Sequence, residues 1–242
     1  MTTGKKEILL HPMTGAINEI RTIFSKMGFG VVDGPELEDE WHNFSALNVP
    51  QDHPARDMQD TFWLPDGRVM RTQTSNMQIR WMETHQPPIR IIVPGKVYRN
   101  EATDMTHEAQ FYQLEGLVVD TNITLAHLKG TLATFFKDFF KGQVEVRFRP
   151  SFFPFVEPGV EVDMRLTGEE VPAKLKGKWI EIMGAGMVHP NVLKNSGIDP
   201  KKYQGFAFGA GLERLCMLKW GIDDVRYFHN ADIRFVSQFK SE

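Results

Sequence analysis

Apolar residues first fall at helical spacing at Ile17, Ile20, Ile23, Phe24 and Met27, which predicts an amphipathic helix ended by Gly28. Val31 and Val32 suggest a short strand stopped by Gly34-Pro35, and 36–47 reads as helical again. In the centre of the chain the period shortens to two. The segment 89–99 is apolar and β-branched with a Pro94-Gly95 break. Residues 110–120 alternate, with Phe111, Gln113 and Glu115 on one face and Tyr112, Leu114 and Val118 on the other. Two such strands joined by the polar stretch 100–109 predict a long hairpin. Leu125, Leu128, Leu132, Phe135, Phe136 and Phe139 mark a helix over 124–141. Further strands are expected at 143–149, 159–166 and 178–183, and a short helix at 211–220. Strands follow one another or sit beside long helices without βαβ alternation, so the pattern predicts an α+β domain on a mainly antiparallel sheet. Residues 1–10 read as a short leader and 11–242 as a single domain.

Four segments carry chemistry. Arg99 and Glu101 share a parity at one end of the hairpin loop, and Gln113 and Glu115 at the other. A concave face holding a cation, two carboxylates and an amide grips a phosphate, an amine and a base edge; a solvated sheet face of ordinary ion pairs has the same composition. Gly205-Phe206-Ala207-Phe208-Gly209-Ala210-Gly211 runs into a helix with Arg214 in its first turn, either a ligand-cradling turn or simply a turn before a core helix. Phe153 and Phe155 lie two apart, so in an extended chain both rings face one side, to hold a third ring or to fill a core. Glu157 beside them suggests a cation or metal partner, because an unpaired buried charge is costly. Arg71 to Gln78 passes from strand to helix, where Ser75 either caps the helix or, with Gln78, faces a ligand.

Composition narrows the class. The chain has 242 residues, 28 basic and 31 acidic, for a formal charge of −3. A protein that binds nucleic acid by bulk charge is basic, so an RNA partner would meet a local patch or the help of another chain. The one cysteine, Cys216, allows no internal disulfide, which favours a reducing cytosol. No segment approaches the ~20 apolar residues of a membrane span, and the polar N-terminus is no ordinary signal peptide. P-loop, nucleophile-elbow and H-E-x-x-H motifs are absent. Of eight scattered histidines only His107, in the hairpin loop, is a functional candidate.

The order R-T-Q-T-S, V-Y-R-N-E, F-Y-Q-L-E-G, R-F-R-P-S-F-F-P-F-V-E-P, G-A-G-M-V-H-P-N-V-L and G-F-A-F-G-A-G-L-E-R resembles the α subunit of bacterial-type phenylalanyl-tRNA synthetases, over about residues 11–239. V-Y-R-N-E resembles motif 2 of class II synthetases and G-A-G-L-E-R resembles motif 3; residues 28–35 sit where motif 1 belongs. The resemblance implies a class II fold and a phenylalanine–tRNA ligase that forms phenylalanyl-adenylate from phenylalanine and ATP with Mg2+, then charges tRNA. It implies that Arg99, Glu101, His107, Phe111 and Arg214 bind ATP, with Arg99 and Arg214 catalytic. Gln73, Ser75, Gln78, Gln113 and Glu115 would hold the polar end of phenylalanine. Phe153, Phe155, Val156, Ala185 and Ala207 would surround its ring, and Glu157 would ligate magnesium at a site shared with a β subunit. The resemblance also implies an N-terminal coiled-coil arm, and the sequence ahead of residue 11 is expected to hold no counterpart of it. The expected partner is a β subunit in the family's heterotetramer, or a second copy if the chain acts without one. Two other readings fit a core of this kind: a relative that adenylates or binds an amino acid without charging tRNA, and a regulatory or binding module.

Overall fold

The computed structural model describes residues 10–57, 60–169 and 171–239. The leader read over 1–10 lies, but for its last residue, outside them. Helix α1, Pro12–Lys26, starts with Pro12 in the first turn and the His11 ring accepting the Met13 N–H. It stops where Gly28 takes φ +79°, a left-handed turn that suits glycine. Strand β1 (Gly30–Val31) follows and pairs parallel to β4 (Ile89–Tyr98). Between them lie β2 (Leu37–Glu38), a π-helical turn at Trp41–Ser45, β3 (Val69–Met70) and α2 (Ser75–Thr84). The helix expected over 36–47 is therefore mostly something else. Glu38 is fully buried and held by Arg80 and Asn76, and that anchorage keeps the chain extended to pair with β3.

The long hairpin forms as the alternation predicts. Strands β4 and β5 (Gln110–Asp120) pair without a break from Ile89↔Val119 to Tyr98↔Gln110. After α3 (Leu125–Phe139) come β6 (Val144–Phe153), β7 (Val156–Leu166), β8 (Ile180–Val188), α4 (Pro190–Asn195), β9 (Gln204–Gly211), α5 (Leu212–Trp220) and the short α6 (Ile233–Val236). The seven-stranded sheet has the order β1-β4-β5-β9-β8-β7-β6 and is antiparallel except at β1.

One expectation is corrected at this level. The glycine-rich stretch before α5 is not a turn but a strand at the heart of the sheet, between β5 and β8. Asp163 belongs to β7 and is buried, accepting from Arg147 Nε at 2.8 Å and Arg149 Nε at 2.6 Å on β6.

The sheet divides two cores. On one face, Leu114 and Val118 of β5 pack with Phe24 of α1, Phe135 and Phe136 of α3 and Leu215 of α5. On the other, Leu117 and Val119 pack with Phe44, with Ile79 and Met82 of α2, and with Leu193 of α4. This second core stops at Leu117. Further along β5 the same face carries Glu115, Gln113 and Phe111, which are left for a cleft.

Candidate active site

The open part of that face floors a cavity of about 890 Å³. It brings together nearly every residue singled out above: Gln73, Ser75 and Gln78 from α2 and its approach, Arg99, Glu101, His107 and Phe111 from the hairpin, Gln113 and Glu115 from β5, and Phe153, Phe155 and Val156 from the β6–β7 turn. Ala185, Ala207 and Arg214 line it too. Glu157 does not.

Glu115 is a buried carboxylate in the floor of the cleft. Its side chain accepts from the Ser75 hydroxyl in a short contact, from Gln78 Nε2 at 3.0 Å and from the Thr74 N–H at 3.1 Å. Burial pushes its carboxyl up to about 7; the Ser75 and Thr74 donors, with Arg99 and Arg71 farther off, pull it partway back. Ser75 is thus not the helix cap. Thr74 occupies that position, and the Ser75 hydroxyl is turned to Glu115.

Small residues make room for this carboxylate. Gly209 is the cross-strand partner of both Glu115 and Gly184, and Gly184 lies beneath the ring of Phe153. A Cβ on Gly209 would stand 3.0 Å from Glu115 Cγ, and one on Gly184 would stand 3.0 Å from Phe153 Cζ. The rings of Phe153 and Phe155 are 5.9 Å apart and 21° from parallel. They flank a turn rather than share one extended strand. Val156 and Ala207 share their side of the sheet with Gly186. Ala185 differs from its expected role. It borders the cavity, but its pairing with Phe208 and Val160 puts its Cβ on the opposite, core face, leaving Gly184 and Gly186 to the cleft.

The other end of the cleft is cationic and aromatic. The Arg99 guanidinium lies 5.1 Å from the centre of the Phe111 ring and 3.9 Å from Glu101. Arg214 stands in the first turn of α5 and makes no ion pair among the described residues. His107 is exposed, with its ring against Asp104 at 3.0 Å. Gln113 has a buried Oε1 without a hydrogen-bond partner among the described residues. Gln73 already has partners: its Nε2 donates to the Asn43 carbonyl at 2.7 Å, and its Oε1 accepts from Thr72.

Glu157 departs furthest from expectation. Its side chain is 75% exposed, with His189 Nε2 at 3.4 Å, so burial gives no reason for a metal there. The group of three metal-ligating side chains found among the described residues is Glu38, Asp39 and His42, which does not include it.

Two supporting residues escape sequence reasoning. Glu213 is buried and takes the Tyr112 N–H on both oxygens, at 2.9 and 3.0 Å, fixing α5 and so Arg214 to β5. Arg71 is buried and donates to the carbonyls of Lys96 at 2.7 Å and Gly34 at 3.1 Å, tying the approach of α2 to β4. Their only signal in the sequence is a charge placed inside a motif rather than beside it.

A mainly antiparallel sheet with a cleft on its open face, an acidic pocket at one end and two arginines at the other, defines a class II aminoacyl-tRNA synthetase core. The family model described as tRNA synthetases class II core domain (F) matches residues 2–239. In fold the chain is similar to pyrrolysyl-tRNA synthetase from Desulfitobacterium hafniense, with a TM-score of 0.68 at 21% identity over 91% of this chain and 74% of that one. In sequence it is 57% identical to the phenylalanine–tRNA ligase α subunit of Dehalococcoides mccartyi over 240 residues, which span 95% of this chain and 69% of that protein. It is 56% identical to the α subunit from Pectobacterium carotovorum subsp. carotovorum, over 96% of this chain and 68% of that protein. The chain belongs to the phenylalanine–tRNA ligase α-subunit family.

Proposed function

We propose that this chain activates phenylalanine with ATP and passes the aminoacyl group to tRNA, in company with a β subunit. The observation that carries the reading is the buried Glu115 carboxylate, ringed by Ser75 and Gln78, in one cleft with the Phe153 and Phe155 rings and the Arg99 and Arg214 guanidiniums. A buried carboxylate calls for a cation, and the α-ammonium of an amino acid supplies one. Phe153 and Phe155 offer an aromatic side chain edges and faces, over a floor of Gly184, Ala207 and Gly209. Arg99 and Phe111 suit a phosphate beside a stacked base, Glu101 suits the base's amino group, and His107 and Arg214 suit the outer phosphates. Gln113, with its unpaired oxygen, is a second ligand for the ammonium.

The chemistry then needs no general base. A phenylalanine carboxylate is ionised at neutral pH and attacks the α-phosphorus in line as pyrophosphate departs. Orientation and charge stabilisation by Arg99 and Arg214 lower the barrier. Class II synthetases use ATP with Mg2+, and here magnesium enters as the counter-ion of the nucleotide substrate. Glu157, implied as a ligand for a magnesium shared with a β subunit, is a surface carboxylate with His189 Nε2 at 3.4 Å; this chain alone gathers no set of metal-ligating side chains around it among the described residues, and the chemistry above does not depend on it. No helix among the described residues is long and apolar enough to cross a membrane, in keeping with a cytoplasmic enzyme of translation. The net charge of −3 favours a partner chain as the main tRNA-binding surface.

Phenylalanine-dependent exchange of pyrophosphate into ATP, measured with and without a β subunit, tests the reading. Exchange with phenylalanine over other amino acids supports it. An assembled complex that binds ATP and exchanges with no amino acid, or prefers another, overturns it.

A further inference from the structure

The loop that carries Leu47 to the cleft wall turns at Asn48, whose backbone is left-handed at φ +60°. Asparagine tolerates that conformation better than most residues. From there its side chain crosses to a distant segment. Asn48 Nδ2 donates to the Pro154 carbonyl at 2.7 Å. Pro154 is the residue between Phe153 and Phe155, in the turn where β6 ends at Phe153 and β7 begins at Val156. The orientation of the Asn48 amide is fixed from its other side, because Asn191 Nδ2 donates to Asn48 Oδ1 at 3.0 Å. Asn191 lies in α4, just after His189, and the His189 N–H donates to the Phe155 carbonyl at 2.9 Å. The aromatic turn is thus held at Pro154 by Asn48 and at Phe155 by His189.

We infer that Asn48 is a positioning residue for amino-acid selectivity. It sets where the Phe153 and Phe155 rings stand, and so which side chain the pocket accepts, without lining the cavity itself. The inference rests on the reading of this cleft as a phenylalanine site. A hydrogen bond to the carbonyl between two pocket rings acts on their separation and tilt. A bond that only secured the loop would leave side-chain selectivity alone.

Three variants of the complex with the β subunit test it. Asn48→Gly keeps the left-handed backbone and removes the amide. Asn48→Asp keeps the size and the acceptor for Asn191 but offers Pro154 a second acceptor in place of the donor. Asn191→Ala removes only the outer support. Pyrophosphate exchange is measured with phenylalanine and with 4-chlorophenylalanine. We expect Asn48→Gly to raise the KM for phenylalanine about tenfold, on the scale of one lost hydrogen bond. Its kcat/KM preference for phenylalanine over the chloro analogue should fall by roughly fivefold or more, while the KM for ATP stays within about twofold. Asn48→Asp should be more severe and Asn191→Ala milder, in the same direction. Folded variants that keep the wild-type preference, or that raise the KM for ATP and phenylalanine together, overturn the inference. A wild-type complex without phenylalanine-dependent exchange would instead remove the reading beneath it.

Discussion

Glu115 stands directly over Gly209: the two are cross-strand partners, and any Cβ on Gly209 would press to 3.0 Å from Glu115 Cγ. The carboxylate is also pinned from above by Ser75, Gln78 and the Thr74 N–H. It has no slack in either direction. Gly209→Ala is therefore expected to displace Glu115 by a few tenths of an ångström and to weaken phenylalanine binding about tenfold, a penalty of roughly 1.4 kcal/mol. ATP binding, proposed for the far end of the cleft, should change little. Titration calorimetry with each ligand separately checks this; equal loss for both would place the damage in the fold.

With Glu115 as the proposed ligand of the ammonium, its raised carboxyl gives phenylalanine binding a pH dependence. In the unliganded protein the group titrates at about 7, against 4.5 ordinarily, chiefly through burial. Below that point the ammonium ligand must displace a proton. Affinity should therefore fall roughly tenfold per pH unit below about 7 and level off above it. The same shift makes folding of the unliganded protein less favourable as pH rises from 4.5 to about 7, so thermal stabilisation by bound phenylalanine should be greatest above 7. Glu115→Gln should bind weakly at every pH with a flat profile. A flat profile in the wild type would show that Glu115 is ionised throughout.

Arg99 is half-exposed and stacked on Phe111, so its removal leaves no buried charge unpaired. Arg99→Ala is expected to retain the fold and to lower the rate of adenylate formation by about 10³-fold, near 4 kcal/mol of transition-state stabilisation. Single-turnover pyrophosphate release and circular dichroism on the same sample separate chemistry from folding. Near-normal release would exclude Arg99 from the reacting phosphate.

Asp163 supports the sheet away from the cleft. It is 2% exposed and serves two arginines, Arg147 and Arg149. Asp163→Ala should cost about 2 kcal/mol of stability, less than a wholly buried pair because both guanidiniums reach solvent. Urea unfolding measures this, and phenylalanine KM should be unaffected.

Sequence patterns made the hairpin legible because its alternation is strict and one polar loop divides it. They made α3 legible because leucines and phenylalanines mark one face, and α5 because leucines alone do. Strand β9 was not legible: glycine and alanine at every second position look like a turn, and only the neighbours that press on Gly209 and Gly205 show why no larger residue fits. Glu38 misled in the opposite way, since a carboxylate within a polar stretch looks exposed until Arg80 and Asn76 close on it. In the site, residue types announced the cleft, whereas their partners did not. Ser75 reads equally as a cap, and the facing of Ala185 depends on register across β7, β8 and β9, which has no local signature.

The contacts that build the cleft join segments far apart along the chain. Ser75 reaches Glu115 across 40 positions, Tyr112 reaches Glu213 across 101, and Asn48 reaches Pro154 across 106. No excised fragment holds more than part of the site, so occupancy and global unfolding are linked equilibria. Phenylalanine at a hundred times its Kd would add about 2.7 kcal/mol to the unfolding free energy of the whole chain. Amide hydrogens in α1, which is fastened to α5 by Glu19 and Lys219 and touches no ligand, should then exchange more slowly wherever they open only by global unfolding.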